Sequence, residues 1–280
     1  MSSLTRFCLT IQYDGSPFHG WQLQPKARTV QGEVERVLKK LTGARRPVVA
    51  SGRTDGGVHA LGQVASVAVP SHRWSAKELR RALNALLPRE IWIKEARQVD
   101  PDFHPRFDAR KRSYAYRIGT APESGSPFHH PWCWDLSDES LDSIRLEEAA
   151  TLIPGQRSFR RFAKAGQPHR GERCHVFTAT WIRWGELGLE FRIEADRYLH
   201  HMVRYLVGTM VDVGLGRRPL DEMRVLLTNP DSALRTSAPA PARGLFLHQV
   251  EYEEGRLGEG LDRDPPGATP PSSDPVTGTT

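Results

Sequence analysis

The sequence predicts an α+β fold with a mainly antiparallel sheet, arranged as two similar halves that meet near residue 108. Three observations carry this. Apolar and polar residues alternate in runs of strand length. Capped segments with a 3.6-residue apolar period fall between those runs. Turns of hairpin length join neighbouring runs, as strand-and-helix segregation in α+β folds requires.

The first strand is "FCLTIQY", where Phe7, Leu9, Ile11 and Tyr13 alternate with Cys8, Thr10 and Gln12 and the turn pair Asp14-Gly15 ends the run. A helix follows, capped by Thr29, with Val30, Val34, Val37, Leu38 and Leu41 on one face up to Gly43. After a glycine-rich loop, "VASVAV" reads as a strand. Ser75-Ala76-Lys77-Glu78 is a capping box opening a second helix through Leu79, Leu83 and Leu86, stopped before Pro88. "IWIKEA" is the next strand.

The second half repeats the outline. "SYAYRI" is a strand, and Leu146, Ala149, Ala150 and Ile153 form a helical face ended by Pro154. "HVFTATWIRW" and "LGLEFRIEA" alternate around the turn Gly185-Glu186. A long helix carries Leu199, Val203, Leu206 and Met210 before Gly214, and "GLFLHQVEY" closes the fold. The expected units are residues 1–108, 109–254 and a tail, 255–280. The tail holds five prolines, five glycines and no aromatic residue. It lacks the apolar area to offset its ordering entropy and is expected to be disordered.

Hydrophobic residues make up 38% of the 280, and no apolar run approaches the ~20 residues that span a bilayer. The N-terminus lacks the apolar core of a signal peptide. Cys8, Cys133 and Cys174 are odd in number and widely spaced, which argues against a disulfide framework and for a reducing, cytoplasmic setting. The net charge is +6; the tail carries two arginines against four carboxylates, so the positive excess lies in the first 254 residues. A basic body rich in arginine suits a polyanion such as nucleic acid.

The chemistry centres on "SGRTDGGVHALGQ", residues 51–63, which sets Asp55 among four glycines with Arg53 just before it. Neither phosphate-binding glycine pattern is present. Asp55 is either a turn cap or a carboxylate kept ionised by a neighbouring arginine and poised as nucleophile or base. Asp55 and His59, four apart, would be a metal pair on a helix, but glycines break any helix here. The two "HH" pairs, at 129–130 and 200–201, are not read as ligand sets; the second is placed inside the long helix, where adjacent residues diverge by about 100°. On that helix His200, Arg204 and Gly208 share a stripe. Arg204 is a surface arginine or a buried counter-ion, and Gly208 suggests another backbone or a substrate packed close. Tyr114 and Tyr116 share a strand face and either fill the core or stack on an exposed base. Arg106, Arg110, Lys111 and Arg112 form a basic run suited to phosphates.

Five segments in order resemble the TruA family of tRNA pseudouridine synthases: "YDGSPFHGWQLQP", "GRTDGGVHALGQV", "DFHPRFDARKRSYAYRI", "YLHHMVRYLVGTMVDVG" and "APARGLFLHQVEY". With the strand that leads into the first, they run from Phe7 to Tyr252, with Gly56 where the family commonly has alanine. The resemblance implies that Asp55 is the essential aspartate, Tyr114 stacks on the target uracil, Arg204 pairs with the aspartate, and Arg53 engages RNA and displaces the base. It implies a homodimer without metal or organic cofactor, acting on uridines 38, 39 and 40 of the tRNA anticodon arm. It also implies two related ferredoxin-like domains joined through a continuous antiparallel sheet, with the active cleft between them. The rival readings are a non-catalytic RNA-binding α+β protein, which has no use for an Asp55–Arg204 pair, and a metal-dependent hydrolase using Asp55 and His59.

Overall fold

The computed structural model describes residues 3–71, 73–164 and 171–257. The first half runs β1 (Leu4–Tyr13), α1 (Val30–Thr42), β2 (Val49–Ala50), β3 (His59–Pro70), α2 (Ala76–Leu86) and β4 (Ile91–Gln98). The second runs β5 (Ala109–Gly119), β6 (Trp134–Asp135), α3 (Ser143–Thr151), β7 (Gly155–Ser158), β8 (Arg173–Trp184), β9 (Gly188–Ala195), α4 (Met202–Gly214), α5 (Leu220–Thr228) and β10 (Leu245–Tyr252).

The local signals act as expected. The Thr29 hydroxyl accepts the Gly32 N–H, and Gly43 closes α1 in the left-handed region with φ 74°. Both halves of the Ser75–Glu78 capping box form. Each helix then buries its apolar face: Val30, Val34, Val37 and Leu38 of α1 join Leu79 and Leu83 of α2 over β1, β3 and β4.

One sheet spans the chain in the order β4-β1-β3-β10-β5-β9-β8-β7, with β2 added to β3 and β6 to β5. The continuous sheet is therefore present, but it is mixed. Parallel pairing occurs at the β3–β10 seam, through Phe246 with His59 and Leu247 with Ala60, and between β5 and β6. β10 arrives at β3 after the whole second half has intervened, a crossover long enough for parallel strands. Two apolar clusters lie along this sheet, and they interlock at the seam. Val58, from the first half, belongs to the cluster built from α3, α4 and β9, whereas Leu247 and Val250 of β10 belong to the cluster built from β1 and β3.

Two expectations need correction. The long helix does not contain Leu199 and His200; α4 begins at Met202, because His201 has φ 63° and turns the chain before the helix. Among the described residues it is the single non-glycine with positive φ. Helix α5 was not foreseen, although Pro219, the acidic first turn Asp221-Glu222 and the spacing of Met223, Leu226 and Leu227 mark it. Of the expected tail, residues 258–280 lie outside the described residues. Its first residues are placed: Arg256 pairs with Asp108 at 3.0 Å.

Candidate active site

The loop between β2 and β3 is held from several sides. Ser51 Oγ donates to Gln63 Oε1 at 2.8 Å, and Gln63 Nε2 returns a bond to the Gly52 carbonyl at 3.0 Å. The Thr54 hydroxyl meets Tyr13 OH at 2.7 Å, and the Thr54 carbonyl accepts Trp21 N–H at 3.0 Å. That last contact explains Gly20: it sits at φ 91°, and a Cβ there would stand 2.6 Å from the Thr54 oxygen. So "YDGSPFHGW" is a backbone clamp on the Asp55 loop. A second clamp crosses the seam, where the Arg112 guanidinium donates to the carbonyls of Ser51 (3.0 Å), Arg106 and Asp196 (2.8 Å each).

Asp55, fixed in this way, is about one quarter exposed. Its Oδ1 lies 3.0 Å from His200 Nε2, and its Oδ2 lies 3.2 Å from His201 Nε2 and 3.8 Å from an Arg204 terminal nitrogen. All three partners come from the start of α4, across the seam. Met202 N–H closes a turn onto the Leu199 carbonyl, and the His201 carbonyl accepts Tyr205 N–H as the first bond of the helix. The left-handed His201 backbone brings both imidazoles out of the turn toward one carboxylate. This overturns the expectation that the second "HH" diverges: the 100° rule applies inside a helix, and these residues precede it. Burial lowers the His201 pKa from its ordinary value; Asp55 opposes this, and His200, Arg204 and Lys164 reinforce it.

Arg204 is mostly buried and tied at both ends. Its Nε donates to the Ala240 carbonyl at 2.7 Å, and its own carbonyl accepts Ala240 N–H at 2.9 Å. The segment gets this close because of Gly208, where a Cβ would stand 2.1 Å from the Ala238 oxygen. The close backbone expected at Gly208 is thus residues 238–240 of the chain itself.

The two tyrosines separate. Tyr116 is fully buried, its hydroxyl donating to the Pro241 carbonyl at 2.8 Å. Tyr114 is half-buried between both apolar clusters, edge-on to Tyr198 with centroids 4.9 Å apart. Its hydroxyl makes no hydrogen bond among the described residues. Burial pushes its phenol up to about 12, with Arg112 opposing and the Asp55 charge adding. Arg53 is exposed and has no hydrogen-bond or ion-pair partner among the described residues.

Three members of the expected phosphate-binding run are committed internally. Lys111 bridges Glu194 (3.0 Å) and Glu251 (3.1 Å), Arg110 pairs with Glu253, and Arg112 is the clamp described above. The pairing of Asp55 with His59 does not form either. His59 is buried, accepts Gly15 N–H at 3.0 Å on Nδ1, donates from Nε2 to the Arg243 carbonyl at 3.1 Å, and stacks on Phe246. Sequence reasoning missed the contacts of His200 and His201 with Asp55. The missing signal was the lack of any capping side chain before Val203, which left the start of the helix undefined.

A sequence model described as tRNA pseudouridine synthase matches residues 9–108 and 149–253. Proteins named tRNA pseudouridine synthase A are similar over nearly their whole length. That of Syntrophomonas wolfei is 37% identical over 256 residues, 90% of this chain and 99% of the relative. That of Moorella thermoacetica is 41% identical over 252 residues, 87% and 98% of the two chains. That of Thermus thermophilus is 39% identical over 257 residues, 91% and 99%.

Proposed function

The chain belongs to the tRNA pseudouridine synthase family and is an isomerase of that class, and from that premise we propose that it converts uridines 38, 39 and 40 of the tRNA anticodon arm to pseudouridine, with Asp55 as the nucleophile. The observation that carries this is a single reachable carboxylate, gripped by two imidazoles and a guanidinium beside a half-buried tyrosine.

The reaction breaks the C1′–N1 bond, turns the uracil and rejoins it through C5, so it consumes no redox equivalent and no outside group. Asp55 attacks uracil C6 or acts at the sugar to give a glycal; both routes use the same carboxylate. Arg204 offsets negative charge that builds beside it without moving, because Ala240 fixes its guanidinium. His200 and His201 orient the two oxygens. The target base must leave its stack, which costs a few kcal/mol, and the Tyr114 ring offers a replacement stacking partner. Arg53 takes a phosphate or fills the space the base leaves; its exposure and its lack of a partner among the described residues support this reading.

The proposal includes a homodimer, inferred from the family resemblance, acting in the cytoplasm, inferred from the odd number and wide spacing of the three cysteines. No helix among the described residues is long and apolar enough to cross a membrane.

The test is tritium release from tRNA labelled at uridine C5, since C5 loses its hydrogen only when the glycosidic bond migrates there. Wild type should release tritium in the presence of EDTA, and Asp55→Asn should release none while still binding tRNA. Tight binding with no release by wild type would favour a binding module instead.

A further inference from the structure

Asp55, His200 and His201 each offer one ligand atom, and these atoms all lie within 4.8 Å of one another. The tighter distances matter more. Each imidazole Nε2 stands 3.0 or 3.2 Å from its carboxylate oxygen. Around a tetrahedral zinc ion with bonds of ~2.0–2.2 Å, neighbouring donors lie roughly 3.3 Å apart. Each imidazole is therefore already near ligand spacing from the carboxylate, and because the two reach different oxygens, closing the set on one ion takes a small side-chain shift.

One further feature favours an ion. The donors are reachable from solvent: the His200 side chain is 38% exposed and Asp55 26%, so an ion has an entry path. One feature opposes it. The Arg204 guanidinium, 3.8 Å from Oδ2, repels a cation and makes the site weaker than a closed structural one.

We propose that Asp55, His200 and His201 form a reversible binding site for a borderline divalent transition ion, with Zn2+ as the type, which the resting protein takes up and which entry of the RNA substrate displaces. Two imidazoles and one carboxylate suit zinc, cobalt or nickel better than magnesium, whose all-oxygen preference the site does not meet. The ion is an inhibitor rather than a cofactor, because it occupies the oxygens that the reaction uses. That clause rests on the catalytic reading of Asp55; the binding site does not.

The test titrates the full chain with Co2+, following its visible ligand-field absorption, and then displaces it with Zn2+. One equivalent should bind. His200→Asn and His201→Asn should each weaken binding by at least about tenfold, the low end of what outer-sphere substitutions already cost. Arg204→Ala should tighten binding, and this gain cannot come from misfolding. Added tRNA should bleach the absorption. Equal binding by wild type and both histidine variants would overturn the proposal, placing the ion elsewhere, as would RNA binding with the metal retained. Zn2+ should also inhibit tritium release in competition with tRNA. Binding as expected with release unaffected would leave the metal site standing and overturn the catalytic role of Asp55.

Discussion

His201 combines a costly backbone with a valuable side chain, and substitution can separate the two. A non-glycine residue in the left-handed region costs ~1–2 kcal/mol, and φ at His201 is 63°. His201→Gly removes that strain but adds ~0.4–1 kcal/mol of unfolded-state entropy. His201→Ala keeps the strain, and both variants lose the 3.2 Å contact with Asp55 equally. The glycine variant should therefore be the more stable of the two by about 0.8 kcal/mol, the difference between those midpoints. In a domain of this size that is roughly 2–3 °C in Tm by differential scanning calorimetry. Turnover should ignore the difference. A tenfold change in rate corresponds to ~1.4 kcal/mol of transition-state stabilisation; if the 3.2 Å contact orients Asp55 for attack, both variants lose roughly tenfold or more in kcat in the tritium assay. Equal melting temperatures would refute the strain argument. Wild-type turnover in either variant would refute the role assigned to the imidazole.

Arg204→Ala should lower kcat at least tenfold while tRNA affinity, read by filter binding, changes little; an equal loss in both would remove its role as counter-ion. Gly56→Ala should leave Tm and turnover within error, since a Cβ there meets only ordinary contacts at 3.6 Å, whereas Gly20→Ala, which forces a Cβ to 2.6 Å from the Thr54 oxygen, should cost ~1–3 kcal/mol or more and most activity. Equal tolerance at both positions would dissolve the clamp on the loop. Burial lowers the pKa of both His59 and His201. The unfolded chain then binds more protons just below its imidazole pKa of ~6.5, so stability should be full above that pH and fall as pH drops below it. His201→Asn should flatten that slope in denaturant titrations; an unchanged slope would assign the acid lability to other groups.

Much of the fold is legible because its signals are local. Thr29, Gly43 and the Ser75–Glu78 box act within one helical turn, and alternation along β1, β5 and β9 states which face is buried. The parallel seam is not legible in this way. Pairing of His59 with Phe246 joins residues 187 apart, and no periodicity in either strand encodes the direction of its neighbour. The basic run misled for a related reason. Arg110, Lys111 and Arg112 look like a phosphate stripe in one dimension, but Glu253, Glu251 and Glu194 arrive from β9 and the end of β10 to neutralise two of them, and backbone carbonyls absorb the third.

The site follows the same division. Asp55, Tyr114, Arg53 and Arg204 could be singled out because each sits in a recognisable motif, yet what makes Asp55 distinctive is assembled across the seam. Its carboxylate belongs to the first half, while His200, His201, Arg204 and Tyr114 belong to the second. Neither half carries the site alone, so its geometry depends on the contacts that lock the halves together: the β3–β10 pairing, the Arg112 clamp and Val58 buried in the opposite cluster. Substitutions at those contacts should act on turnover through the distance from Asp55 to the start of α4. A site built on such a seam has a geometry only as stable as the joint between the halves.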